Sequence, residues 1–196
     1  MFWRKKSAPV SWIAIFLGNP GKQYDNTRHN AGFLAGDAVA ERTGVKINRI
    51  KFSSLTTTTT IDGQGVLLIK PQTYMNLSGG ALWQAMAFYK VPLENVIVVF
   101  DDVALPPGKL RVRRRGSSGG HNGLKDIIAK CGGEEFPRIK IGVGSPPHED
   151  YEMADWVLAK LSGADGKLVA QAAETAVDAL ETIIAQGVDS AMAKYN

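Results

Sequence analysis

The sequence predicts a single α/β domain: a mixed, mostly parallel twisted sheet with helices on both faces. Three observations predict it. Residues 13–17, 66–69 and 96–100 are continuously apolar, as strands covered on both faces must be. Amphipathic helical stretches alternate with these runs, the pattern of helices crossing over a sheet. The chain of 196 residues suits one domain, and neither an internal repeat nor a linker divides it.

The elements follow in order. Residues 1–11, basic at Arg4, Lys5 and Lys6, are expected to be a flexible extension, and residues 12–196 the folded domain. The strand at 13–17 is stopped by Gly18-Asn19-Pro20-Gly21. A helix over 30–43 keeps Ala31, Leu34, Ala35 and Ala38 in apolar register, with Gly44 as its stop. The threonine-rich run 53–60 favours a strand through β-branching. Residues 66–69 form another, closed by Lys70-Pro71. Ser78 is expected to cap a helix with Leu82, Ala85, Met86 and Tyr89 on one face. Residues 96–100 read as the most buried strand, ending at Asp101-Asp102. In 109–113 cations alternate with apolar residues, so Lys109, Arg111 and Arg113 share one strand face while Leu110 and Val112 face the core. A helix over 122–130, a strand over 139–143 and a long helix carrying Val169, Ala176, Leu180 and Ile184 complete the chain.

Composition excludes several classes. The lone cysteine, Cys131, rules out an internal disulfide and a cysteine-rich zinc site, and reads as a small packed hydrophobe. No apolar run approaches the ~18 residues of a membrane span, and the apolar stretch 12–17 is too short for a secretory signal. A soluble cytoplasmic protein is expected. The net charge of +4 fits a polyanionic partner, and the basic strand with Arg114 and Arg115 offers a phosphate-binding face.

Chemistry gathers at strand ends. Asn19 follows the first strand, Tyr74-Met75-Asn76 the strand at 66–69, and Asp101 the central strand. Open α/β sheets bind ligands outside the carboxyl ends of their strands, so these residues are expected on one edge. Two His-Asn pairs, His29-Asn30 and His121-Asn122, have glycines nearby that would let a substrate approach the backbone. Gly18-Asn19-Pro20-Gly21-Lys22 lacks P-loop spacing, no G-x-G-x-x-G follows a strand, and no G-x-S-x-G elbow is present. A metal site from His29, His121 and Asp101 is conceivable, but no further metal-type spacing supports it. What remains is hydrolysis by water. A histidine base would take the proton, a carboxylate would orient the imidazole, and asparagine amides would hold the substrate.

Gly18-Asn19-Pro20-Gly21 with Tyr24 and Thr27-Arg28-His29-Asn30-Ala31-Gly32 resembles the opening signature of bacterial-type peptidyl-tRNA hydrolases. Residues 70–79, Lys70-Pro71-Gln72-Thr73-Tyr74-Met75-Asn76-Leu77-Ser78-Gly79, resemble the second. Asp101-Asp102, Leu105-Pro106-Pro107-Gly108 and Gly119-Gly120-His121-Asn122-Gly123 resemble the third. The resemblance runs from about Trp12 to the C-terminus. It implies a metal-independent, cofactor-free hydrolase cleaving the ester between peptide and tRNA, and so recycling tRNA from aborted translation. It implies His29 as the base, Asp101 as its support, and Asn19 as the reader of the substrate amide. It implies Tyr24, Tyr74, Asn76 and Asn122 as contacts to peptide and acceptor end, Met75 as an apolar contact, and His121 as support. Arg113 and Lys140 occupy the places of a basic clamp on the tRNA 5′ phosphate. Ala104 stands where many relatives carry an acid. The expected protein is a monomer with peptidyl-tRNA as its partner. The competing readings are a non-catalytic RNA-splicing partner of the same fold and a hydrolase for another acyl ester.

Overall fold

The computed structural model describes residues 8–196. Seven strands form one sheet in the order β2-β3-β4-β1-β5-β7-β6. They are β1 (Val10–Phe16), β2 (Arg49–Lys51), β3 (Ser54–Ile61), β4 (Gln64–Pro71), β5 (Val96–Asp102), β6 (Leu110–Arg113) and β7 (Arg138–Gly142). The four central strands β4, β1, β5 and β7 are mutually parallel, while β3 and β6 run antiparallel to their neighbours. Six helices accompany them: α1 (Ala31–Thr43), α2 (Ser78–Tyr89), α3 (Asn122–Cys131), α4 (Met153–Leu158), α5 (Gly163–Gln186) and α6 (Val188–Tyr195). The mixed, mostly parallel sheet with helices on both faces is the fold the sequence predicts.

Strand alternation sorts the core into two layers. Ala14, Phe16, Ile97, Val99, Ile139 and Ile141 pack under α1, α5 and α6. Ile13, Ile15, Leu17, Leu67, Ile69, Val98 and Phe100 pack under α2 and α3. Both sheet faces are buried, which is why the strands read as continuous apolar runs. No helix of the described residues is long and apolar enough to cross a membrane.

The structure corrects some boundaries. Strand β1 begins at Val10, which pairs with Gly65, so Val10 and Ser11 belong to the sheet rather than to an extension. Residues 1–7, with the basic start, lie outside the described residues. Ser78 is the first residue of α2, not its cap: its hydroxyl donates back to the Met75 carbonyl at 2.9 Å. Asp101 and Asp102 lie inside β5. The sequence pattern missed β2, α4 and α6, which are short and gain their definition from neighbours.

The glycine beside His29 packs the fold together. A Cβ on Gly32 would lie 2.4 Å from the Leu17 carbonyl oxygen and 2.5 Å from that of Val99. Helix α1 therefore starts almost in contact with the backbones of β1 and β5. Gly32 serves this close approach, not the substrate access expected from the sequence. Gly32→Ala forces backbone apart, and overpacking of this kind costs about 3 kcal/mol. The expected fall in Tm is about 6 °C or more by thermal melting; an unchanged Tm would mean that α1 lifts freely.

Candidate active site

Three elements bring one carboxylate and two imidazoles together. Arg28–Asn30 is a 3-10 turn leading into α1 and carries His29. Asp101 is the penultimate residue of β5, and His121 precedes α3. His29 Nδ1 lies 3.0 Å from both Asp101 carboxylate oxygens. His121 Nε2 lies 3.0 Å from Asp101 Oδ1, and the two imidazole centroids are 5.0 Å apart.

The protonation pattern follows from hydrogen bonding. His121 Nδ1 accepts the Leu124 backbone N–H at 3.4 Å, capping α3. That nitrogen is therefore unprotonated, and Nε2 carries the hydrogen given to Asp101. His29 donates through Nδ1, so its Nε2 keeps a lone pair; among the described residues no group bonds it. Asp101 is fully buried, and burial alone would raise its carboxyl. The charges and N–H donors of His29 and His121 outweigh burial and hold it well below the usual carboxylate range. Burial opposes a charge on His29, but the Asp101 charge and hydrogen bond prevail, so its pKa is raised.

Asn19 is held by a second network. Its N–H donates to Asn30 Oδ1 at 2.8 Å, and Asn30 Nδ2 donates to its carbonyl at 3.0 Å. The Met75 N–H donates to Asn19 Oδ1 at 2.8 Å. With its oxygen engaged, Asn19 has its Nδ2 donor left to offer. Asn30 is thus a functional residue that sequence reasoning missed as a separate role. Its Asn type beside His29 was visible, but its pairing with Asn19 was not.

The other expected residues divide. Met75 is buried at 4% exposure and packs among α2 and α3 residues; it enters the site through its N–H, not as an apolar surface. Tyr24 is half-buried, and Tyr74, Asn76 and Asn122 are exposed near the starts of their elements. Among the described residues the side chains of these four make no hydrogen bond. Ala104 is exposed, and its N–H donates to Asp102 Oδ1 at 2.8 Å. Cys131 is half-buried, with its thiol pushed up to about 12 by burial and then by Asp126, so it is no nucleophile near neutral pH.

The basic face forms only in part: Lys109 lies outside β6, Arg114 pairs with Asp189, and Arg115 pairs with Glu135. Arg111 pairs in register with Lys140, and Arg113 with Arg138, so all four share the α3 side of the sheet. Lys140 is not free: its ammonium meets Asp102 Oδ2 at 2.8 Å. Arg111, Arg113 and Lys125 make no ion pair among the described residues. Arg138, at 1% exposure, was also missed. It donates to the Ser117 carbonyl at 3.1 Å and the Glu134 carbonyl at 2.9 Å, tying the loops on either side of α3 to β7.

His29, Asp101 and His121 could also present ligand atoms to a metal, for they lie within 4.8 Å of one another. Hydrogen bonds already account for each atom facing Asp101.

The sequence profile of the peptidyl-tRNA hydrolase family matches residues 13–196. The chain belongs to this family. A peptidyl-tRNA hydrolase of Caldanaerobacter subterraneus subsp. tengcongensis is 48% identical over 185 residues, covering 94% of this chain and 99% of that protein. One of Clostridium novyi is 45% identical, covering 94% and 97%. The crystal structure of an Arg119Gln mutant of the Acinetobacter baumannii peptidyl-tRNA hydrolase superposes with a TM-score of 0.89 at 33% identity, covering 97% of this chain and 96% of that one. The family match and the fold therefore agree over nearly the whole chain.

Asp101→Asn removes the charge that raises His29 and leaves the burial that lowers it. The His29 titration, followed by NMR, should fall below the ordinary histidine value. The acid limb of kcat/KM should move to lower pH, because the base becomes neutral sooner. A His29 titration unchanged in this variant would remove Asp101 as its partner.

Proposed function

We propose that the chain cleaves the ester between a peptide and the 3′ ribose of tRNA, with His29 as the base. The observation carrying this reading is the His29 imidazole tied through Nδ1 to a buried carboxylate, with Nε2 unbonded. Nε2 takes a proton from water as the water oxygen bonds to the ester carbonyl carbon. Asp101 stabilises the imidazolium that forms. As the bond to the ribose oxygen breaks, the same proton passes to that oxygen. General-base help of this kind contributes about 10²–10⁴-fold.

Asn19 Nδ2 donates to the carbonyl of the amide that blocks the substrate's α-nitrogen. A free aminoacyl-tRNA lacks this carbonyl and leaves the donor unmet, which disfavours it. Tyr24, Tyr74, Asn76 and Asn122 engage the peptide and the single-stranded acceptor end, where aromatic and amide groups read bases and sugar hydroxyls. Arg113, with Arg111 and Lys125, attracts tRNA phosphates, and Lys140 contributes while shared with Asp102. On this reading the protein is a cytoplasmic monomer, needs no metal or cofactor, has no obligate protein partner, and recycles tRNA from aborted translation.

The test compares N-acetylated aminoacyl-tRNA with its unblocked counterpart, in the presence of a chelator. The native protein should release only the blocked acyl group, and His29→Ala should lose about 10²-fold or more in kcat while tRNA binding stays nearly intact. Full activity of His29→Ala would remove it as the base. Binding without any cleavage would favour a non-catalytic RNA-binding role.

Arg113→Glu should weaken binding of different tRNAs to a similar degree and flatten the dependence of log K on log salt by about one unit or more. Loss confined to one tRNA sequence would contradict phosphate recognition.

A further inference from the structure

Asp126, one turn into α3, spends its carboxylate on a different helix. Its side chain is only 15% exposed, and its Oδ2 accepts the Gly79 N–H at 2.8 Å. Gly79 lies in the first turn of α2, where backbone N–H groups lack partners within the helix. A carboxylate there also meets the positive end of the helix dipole. The two helices touch at this point: a Cβ on Gly79 would lie 2.4 Å from the Asp126 carbonyl oxygen. No step of the proposed reaction uses Asp126.

The contact bears on the Met75–Leu77 3-10 turn, which runs straight into α2. A single 3-10 turn has poor hydrogen-bond geometry and does little to hold its own direction. Upstream it is tied at Gln72, whose N–H donates to the Ser53 carbonyl at 2.9 Å. Downstream it is tied through α2: the Ser78 hydroxyl donates to the Met75 carbonyl, and Asp126 holds Gly79. The Met75 side chain rests against α3 at Gly123, which sets its depth but not the direction of its N–H. That N–H meets Asn19 Oδ1 at 2.8 Å. The two ends of an asparagine amide are nearly alike in shape, and only their partners tell them apart. With the Met75 N–H in place, the oxygen is engaged and Nδ2 is the donor left over. No other hydrogen bond among the described residues holds either end of the Asn19 amide.

We infer that Asp126 is a positioning residue: through Gly79 and the Met75 N–H it keeps the Asn19 amide turned with its nitrogen toward the substrate. This rests on the proposed reading of the blocked α-nitrogen by Asn19. Asp126 itself touches no substrate. It joins the two halves of the site, because His121, which bonds Asp101, caps the same helix. Asp126 also pairs with Lys130 at 2.9 Å, but the acceptor that the turn needs is the carboxylate oxygen, not the ion pair.

The test uses Asp126→Ala, Asp126→Asn, Lys130→Met, Asn19→Ala and the double variant of Asp126→Ala with Asn19→Ala, each checked by thermal melting. Asp126→Ala should lose about tenfold in kcat/KM on N-acetylated aminoacyl-tRNA. Asp126→Asn keeps an oxygen acceptor and should recover most of that loss. Lys130→Met should stay within about twofold of the native protein. The double variant should fall within about twofold of Asn19→Ala alone, because Asp126 acts through Asn19. Losses that multiply in the double variant overturn the inference, since Asp126 then only stabilises the fold. By NMR of isotope-labelled protein, Asp126→Ala should shift the Met75 backbone amide and the Asn19 side-chain amide, while Lys130→Met leaves them in place. Unmoved signals in Asp126→Ala, or equal losses for Asp126→Ala and Lys130→Met, also overturn it. Asp126→Glu keeps the charge but displaces the acceptor, and takes the place of the alanine variant in each comparison if that variant is unfolded. The amide signals are read without substrate, so they judge the placement of Asn19 even if the native protein fails to cleave, a result that would overturn the proposed reaction instead.

Discussion

The site depends on a single buried carboxylate. Asp101 sits at 3% exposure, where an unpaired charge would be costly. Two imidazole N–H groups compensate it, one from the start of α1 and one from the start of α3. The carboxylate joins three elements that are distant in sequence and gives the two histidines different roles. His121 is bonded on both ring nitrogens, so it is structural. His29 is bonded on one, so it alone retains a basic site. The chemical asymmetry comes from the Leu124 N–H, not from any difference between the two residues.

That arrangement requires a backbone brought unusually close. Gly32 lets α1 begin against β1 and β5, which sets His29 over the end of β5. Gly123 makes room for side chains at the start of α3: a Cβ there would meet Met75 Sδ at 2.8 Å and Leu17 Cδ1 at 2.9 Å. The Asn30 side-chain amide then closes both backbone polar groups of Asn19, as a neighbouring strand would. Asn19 is thereby fixed, with its amide nitrogen as the donor it offers. Arg138 performs a comparable task below α3, where its buried guanidinium satisfies loop carbonyls and stacks 4.2 Å from the Phe136 ring centroid.

Around the site the charge is unevenly distributed. Strand alternation turns Asp101 toward α1 and Asp102 toward α3, where Asp102 meets Lys140. One aspartate thus pairs with His29, and its neighbour tempers the cationic face. Beyond Lys140 the exposed Arg111 and the half-buried Arg113 make no ion pair among the described residues, whereas α2 carries no charged residue.

The sequence by itself determined the sheet and most of its helices, because strands covered on both faces must be apolar throughout. It also placed Asn19 and Asp101 at one edge, since each lies at the carboxyl end of a parallel strand. His29 followed because it opens the helix after β1. What only the tertiary structure decided was how these residues pair. Met75 carries an apolar side chain, yet it contributes a backbone N–H. Lys140 has the charge expected of it, yet it shares that charge with Asp102. Asn30 and Asn122 both follow a histidine, yet one is buried scaffold and the other exposed rim. Residue type and local spacing specify which groups a segment can offer. Which partner each group meets depends on segments far away in the chain, and only close packing brings them within hydrogen-bonding distance.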